Sequence, residues 1–195
     1  MRDMIRQKLL FSLATLLFTL AAGFALAQDV EHVVSGEVTK VDKDAKTITI
    51  KATDGSEHAL RYTEKTTVKG YRDADMDAKK GAADTYLRGK EGTHVVVRYT
   101  DKGADKVVNG VNDFGKDAMK ETRGTVTKVD KASHDVVVKA EDGSETTYHL
   151  GRDAWVDTEK GAAKGANYTA KEGDKVVVHY TEDAGKKVVR FFKNL

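Results

Sequence analysis

Gly36-Glu37-Val38-Thr39-Lys40-Val41-Asp42-Lys43 returns later in the chain as Gly124-Thr125-Val126-Thr127-Lys128-Val129-Asp130-Lys131. Both copies continue in the same order through Asp-Gly-Ser-Glu (from Asp54 and Asp142), Lys-Gly-Ala-Ala (from Lys80 and Lys160) and Lys-Glu-Gly (from Lys90 and Lys171). A Val-Val-Val run (from Val95 and Val176) and a Tyr-Thr pair (Tyr99 and Tyr180) complete each unit. The chain is therefore a tandem repeat. The opening glycines lie 88 residues apart and the Lys-Gly-Ala-Ala lysines 80 apart, so the first copy carries an insertion of about eight residues around Gly70 to Asp77.

Each copy reads as β-structure. Val34, Gly36 and Val38 share one parity and Val41 takes the other, which predicts a bulge near Thr39 and Lys40 that keeps both valines inward. Ile48, Ile50 and Ala52 alternate with Thr47, Thr49 and Lys51, matched by Val136, Val138 and Ala140. Asp54-Gly55 and Asp142-Gly143 then mark hairpin turns, because glycine accepts the positive φ such turns need. A third strand with Leu60 and Tyr62, or Tyr148 and Leu150, inward is predicted to end near Val68 or Val156. A short helix is expected within Asp77 to Arg88, weakened by Gly161 and Gly165 to a turn or loop in the second copy. Strands with Val95, Val97 and Tyr99, or Val176, Val178 and Tyr180, inward follow, and a fifth covers 106–111 or 187–192.

Three strands, a short helix or loop and two strands is the element order of the OB-fold. The fold predicted is all-β with a short helix per unit, two tandem five-stranded OB-like barrels. The divisions expected are a signal peptide over 1–27, a first barrel over 28–111, a linker over 112–121 and a second barrel over 122–195. Barrels this small bury few side chains, so they are expected to pack on each other or on a partner, with Phe114, Trp155, Phe191 and Phe192 as spare apolar surface.

The first 27 residues carry the address. Arg2, Arg6 and Lys8 precede an apolar run from Leu9 to Phe24, and Ala25-Leu26-Ala27 supplies small residues for cleavage before Gln28. A periplasmic or secreted protein is expected, with no stable membrane insertion once the leader is removed. Three of the 33 Lys and Arg and one of the 31 Asp and Glu fall in that leader, leaving 30 of each and a net charge of zero. Long-range attraction to nucleic acid or an anionic membrane is thereby removed. With no Cys there is no disulfide framework, and packing alone must hold the fold.

The pattern Gly-x-Val-x-x-Val-Asp, Thr-Ile-Thr-Ile, Asp-Gly and Glu-Gly-x-x-Val-x-Val resembles small exported bacterial OB-like barrel domains, uncharacterised families among them, over nearly all of the mature chain. More distantly it is similar to periplasmic copper-chaperone barrels of the CusF type, whose metal site is a His after the second strand and a Trp-Pro-x-Met-Thr-Met run on the third. Here Ala52-Thr53-Asp54-Gly55 follows the second strand, and the mature chain holds only Met76 and Met119, so that metal motif is missing.

Candidate sites are scattered. The outward faces of the second and third strands carry Lys51, Arg61, Lys139 and His149 as candidate ligand contacts, but no aromatic platform for stacking bases. Trp155, replaced by Thr67 in the first copy, is either a ligand contact or packing between modules. Asp73, Asp75 and Asp77 have the spacing of the first calcium-loop ligands, yet Ala78 stands where such a loop needs Gly; a solvated acidic loop is the alternative. None of His32, His58, His94, His134, His149 and His179 has a His at the matching place in the other copy, and exchange with Lys46, Arg61 and Arg98 reads as solvated outward positions. Ser56 and Ser144 sit in turns without a matching base. The function expected is an exported, non-enzymatic binding or structural protein of the cell envelope, with no cofactor and an envelope component or protein as partner. A periplasmic cation-binding protein is the second reading and a hydrolase of unknown chemistry the third.

Overall fold

A computed structural model describes residues 29–70, 79–80, 83–116 and 119–195. Strand β1 (Glu31–Asp42) is followed by β2 (Thr47–Ala52), β3 (Glu57–Arg61), β4 (Thr67–Gly70), β5 (Lys79–Lys80), the single-turn helix α1 (Ala83–Tyr86), β6 (His94–Lys102) and β7 (Asp105–Asp113). The second unit repeats the order. It comprises β8 (Lys120–Asp130), β9 (Asp135–Ala140), β10 (Glu145–His149), β11 (Trp155–Thr158), β12 (Gly161–Lys164), a 3-10 turn (Gly165–Asn167), β13 (Lys175–Asp183) and β14 (Lys186–Asn194).

Strands pair in the order β3-β2-β1-β6-β7, and a parallel contact between Arg61 of β3 and Val107 of β7 closes the ring. The second ring, β10-β9-β8-β13-β14, closes in the same way through His149 and Val188. Closure removes the edges that five short strands would otherwise present to other chains. The chain is thus nearly all-β, two tandem five-stranded barrels, each carrying an added hairpin, β4-β5 or β11-β12, joined in parallel to β7 or β14.

The repeated opening motif is what lets the first strand coil around each barrel. Gly36 faces Ala52 and Gly124 faces Ala140, and a Cβ on either glycine would collide with the carbonyl oxygen of Lys51 or Lys139. Two residues further on, the register slips between Val38 and Lys40 and between Val126 and Lys128, the bulge that the valine parity predicts. Val38, Ile48, Ile50, Leu60, Tyr62, Val95 and Val97 fill the first barrel, and Val126, Val138, Tyr148, Leu150, Val176 and Val178 fill the second.

Three expectations are corrected. The third strand does not run to Val68: it ends at Arg61, and Thr67–Gly70 is a separate strand on β7. Thr66 makes the break, since its side-chain oxygen accepts from the Thr63 N–H and its hydroxyl donates to the Val108 carbonyl. The region expected to be helical is helix only at Ala83–Tyr86, with β5 ahead of it, and its counterpart in the second copy is a strand, β12, before the 3-10 turn. Phe192 is not spare surface but interior to the second barrel, fully buried with Val156 and Val189. Adjacent strand residues face opposite ways, so of Phe191 and Phe192 only one was free to point outward.

The acidic triplet Asp73, Asp75 and Asp77 lies outside the described residues. Among the described residues no helix is long and apolar enough to cross a membrane. Replacing Gly124 by Val should lower the free energy of unfolding by about 2 kcal/mol or more, because the added methyls meet backbone that cannot withdraw. Urea unfolding followed by far-UV circular dichroism measures the loss.

Candidate functional site

The strand residues that point out of the barrels are not all wet. Val33 and Val96 on the outer face of the first barrel, Trp155 and Phe191 on that of the second, and Phe114 and Met119 from the connection form a third buried cluster. Strand β1 packs on β11 and β12, Arg98 of β6 reaches Trp155 of β11, and Ser35 of β1 meets His179 of β13. Val96 and Val177 occupy matching positions and are both buried.

The two faces fit because large and small residues are exchanged between them. In the first barrel Arg98 lies opposite Gly110, and a Cβ on that glycine would strike the guanidinium and the Thr67 hydroxyl. In the second barrel the matching positions of Arg98, Gly110 and Thr67 are His179, Phe191 and Trp155. Arg98 reaches across the interface to lie 4.5 Å from the Trp155 ring centre, where Lys164 also sits at 3.7 Å. Burial, and then the nearby charge of Arg98, push the Lys164 amine below its ordinary value. Glu31 accepts from both Arg98, at 3.0 Å, and Asn109, at 2.9 Å. That leaves the part-buried guanidinium paired.

His179 is the polar centre of the interface. Only 4% of the residue is exposed; Nδ1 lies 2.6 Å from Ser35 Oγ, and Nε2 lies 2.9 Å from Thr53 Oγ1 and 3.4 Å from Glu121 Oε2. The sequence reading of His179 as a solvated position is therefore corrected: its face of the strand is outward from its own barrel but covered by the other. The tip of the β2-β3 hairpin supplies part of the cover, with Arg123 donating to the Thr53 carbonyl at 3.1 Å. The hydrogen bond with His179, and that with Arg123, hold the Glu121 carboxyl at about 2, against an ordinary 4.5.

Two clefts open beside His179. The first, about 170 Å³, is walled by both barrels and receives His32, His58 and Tyr99 from one and His179, Asp157 and Lys193 from the other. His32 stacks on Tyr99 with ring centres 5.3 Å apart. Burial, and then the charge of Lys106, push the His58 imidazole below its ordinary value. The second cleft is lined by Glu37, Lys51, His94, Met119, Glu121 and His179. His94 Nδ1 is buried there without a hydrogen-bond partner among the described residues. Among the described residues no three His, Asp or Glu side chains converge to hold a metal ion.

The sequence candidates are dispersed. Lys51 borders the second cleft, Trp155 is built into the interface, and Lys139 is exposed on β9. Arg61 pairs with Asp105 at 3.0 Å on the first barrel, and His149 pairs with Asp135 at 2.9 Å on the second. His134 has φ of 58° and its counterpart Lys46 has φ of 50°, so that position is a tight-turn residue in both copies. The residues that sequence reasoning missed, Ser35, Thr53, Glu121 and Asp157, are ordinary polar strand and turn positions. Their one signal was indirect: each barrel needed cover, and unmatched residues are where two like faces must differ.

Val96→Asp should part the barrels without unfolding them, since the valine belongs to the interface and to neither interior. Trp155 is the single Trp, so its emission should move to the red and become quenchable by acrylamide while far-UV circular dichroism persists. Glu121 has a lowered folded value, so its contribution to stability is complete above about pH 4.5 and is lost as the pH falls toward 2. Urea unfolding across that range should show a shallower acid loss for Glu121→Gln than for the parent chain.

No protein family and no curated protein matches the chain. Among solved structures it is similar to Ag(I)-bound CusF from Escherichia coli, at 16% identity over 45% of this chain and 96% of that one, with a TM-score of 0.30. The match to apo-CusF of the same organism has 16% identity, covers 45% and 92%, and has a TM-score of 0.30. Drosophila Unr CSD456 matches at 15% identity over 84% of this chain and 61% of that one, with a TM-score of 0.29. Similarity this low carries nothing about ligand or role.

Proposed function

We propose that the chain is an exported, non-enzymatic binding protein of the cell envelope, whose two barrels form one body and seat a small polar ligand in the cleft between them. The observation that carries this reading is the convergence of His32, His58 and His179 on one cleft walled by both barrels. These residues have no histidine counterpart in the other copy, as befits a site made once from two repeats. The export rests on the leader sequence, Arg2 to Ala27. Larger envelope partners would meet the outer faces of β2-β3 and β9-β10, where Lys51 and Lys139 are exposed.

A second reading, a cation as ligand, has His58, Asp54 and Asp157 lining the same cleft, although among the described residues no three such side chains converge on one point. Neutral imidazole and carboxylate are the donors a divalent transition metal takes.

Thermal unfolding of the chain from Gln28 onward, against divalent metals, EDTA, anionic glycans and cell-wall fragments, separates these readings. A ligand at 100 times its dissociation constant should stabilise the native state by about 2.7 kcal/mol, a shift of several degrees. The shift should vanish in Asp157→Ala with His58→Ala. A metal-specific shift that EDTA reverses selects the cation, and a shift unchanged in that double variant removes the cleft as the site.

A further inference from the structure

The hydrogen bonds around His179 admit one arrangement of protons while the ring is neutral. The Glu121 carboxyl, held at about 2, is ionised and can only accept. Thr53 is hydrogen-bonded to that carboxylate, so its hydroxyl donates there and its oxygen accepts from His179 Nε2–H at 2.9 Å. A neutral imidazole carries one hydrogen. With that hydrogen on Nε2, Nδ1 is an acceptor, and the Ser35 hydroxyl 2.6 Å away donates to it. Ser35 is 3% exposed, and its hydroxyl has no second partner among the described residues.

These bonds divide between the barrels in a way that gives the effect of pH a sign. Glu121 and Arg123 stand on β8 beside His179, in the same barrel, so they stay with the ring whether or not the barrels touch. Ser35 and Thr53 belong to the other barrel and leave on parting. A second proton on the ring turns Nδ1 into a donor and leaves the Ser35 hydrogen without an acceptor. It also places a cation where only 4% of the residue is exposed. Both costs disappear when the barrels part, while the attraction of Glu121 remains.

The other charges near the ring are balanced within their own barrels. On the second barrel Asp157 pairs with Lys193, and Glu182 with Lys120. On the first, Asp54 accepts from the Ser56 N–H and hydroxyl, and Glu37 and Lys51 face each other across β1 and β2. His32, His58 and His94 are the other imidazoles lining the two clefts. Arg98, which holds the place of His179 in the first barrel, keeps its charge at every pH considered.

We propose that His179 is a pH-sensitive latch between the barrels: the neutral ring joins them through Ser35 and Thr53, and the imidazolium releases them and opens the cleft they wall. The latch belongs to the contact between the barrels and stands whatever the cleft binds.

Acrylamide quenching of Trp155 in the chain from Gln28 onward reads the parting, at a urea concentration that leaves far-UV circular dichroism native. Lowering the pH from about 8 to 5 should move the equilibrium toward the parted form about tenfold, the effect of one buried hydroxyl left without an acceptor. His179→Gln cannot take up a proton and should abolish that shift, whereas His32→Gln, His58→Gln and His94→Gln should keep it. Ser35→Ala removes the hydroxyl that protonation orphans, so its shift should be smaller than the parent's, and it decides the matter if His179→Gln does not fold. Nitrogen-15 spectra of the imidazoles at neutral pH should place the His179 hydrogen on Nε2. A hydrogen on Nδ1, a parent chain without the acid shift, a shift that follows another imidazole, or one undiminished in Ser35→Ala overturns the proposal.

Discussion

Everything in this molecule follows from the fact that each strand of a small closed barrel has two faces and the interior can use only one. Val95 and Val97 point into the first barrel, which obliges Val96 to point out of it, and Val177 is obliged in the same way between Val176 and Val178. A three-valine run placed on a two-sided strand leaves an apolar stripe that water penalises at roughly 25 cal/mol for each Å². Val96 is covered in one cluster with Trp155 and Phe191 of the second barrel, and Val177 is buried as well. The polar residues that come with them, Ser35, Thr53, Glu121 and His179, are carried into the interface and must find partners there.

That requirement explains why the copies differ where they do. The interiors need the same volumes and keep the same residue types: Tyr62 and Tyr148 match, as do Val97 and Val178. The facing surfaces need complementary shapes, so Arg98 with Gly110 confronts Trp155 with Phe191. Gly161, with φ of 106°, shows how close the approach is: a Cβ there would lie 2.6 Å from the Glu31 carbonyl. The clefts beside His179 remain where the interdigitation stops.

The strands, their inward residues, the bulge at Thr39 and the tandem arrangement were legible because a barrel interior imposes strict alternation on sequence. The hairpins β4-β5 and β11-β12 were not, since an added hairpin is short and half-solvated and leaves no period to read. The candidate site was legible only in negative form. Six unmatched histidines were visible, but a histidine that exchanges with Arg98 looks the same in sequence whether water or another barrel covers it. What distinguished His179 was Ser35, 144 residues away on the other barrel, and contacts at that separation have no local sequence signature.

The exchange of bulk between the facing surfaces also governs which pairings are permitted. A first barrel in the place of the second would set Arg98 against the small residues Thr67 and Gly110, with no ring to fill the space. A second barrel in the place of the first would put His179 where Arg98 lies against the indole. Only a first barrel against a second fills the gap with the indole and gives the guanidinium a ring to lie on. Newly made chains at high concentration thus have one favourable partner for each face, and the covalent tether keeps it nearby, which protects a repeat protein from exchanging modules with its neighbours.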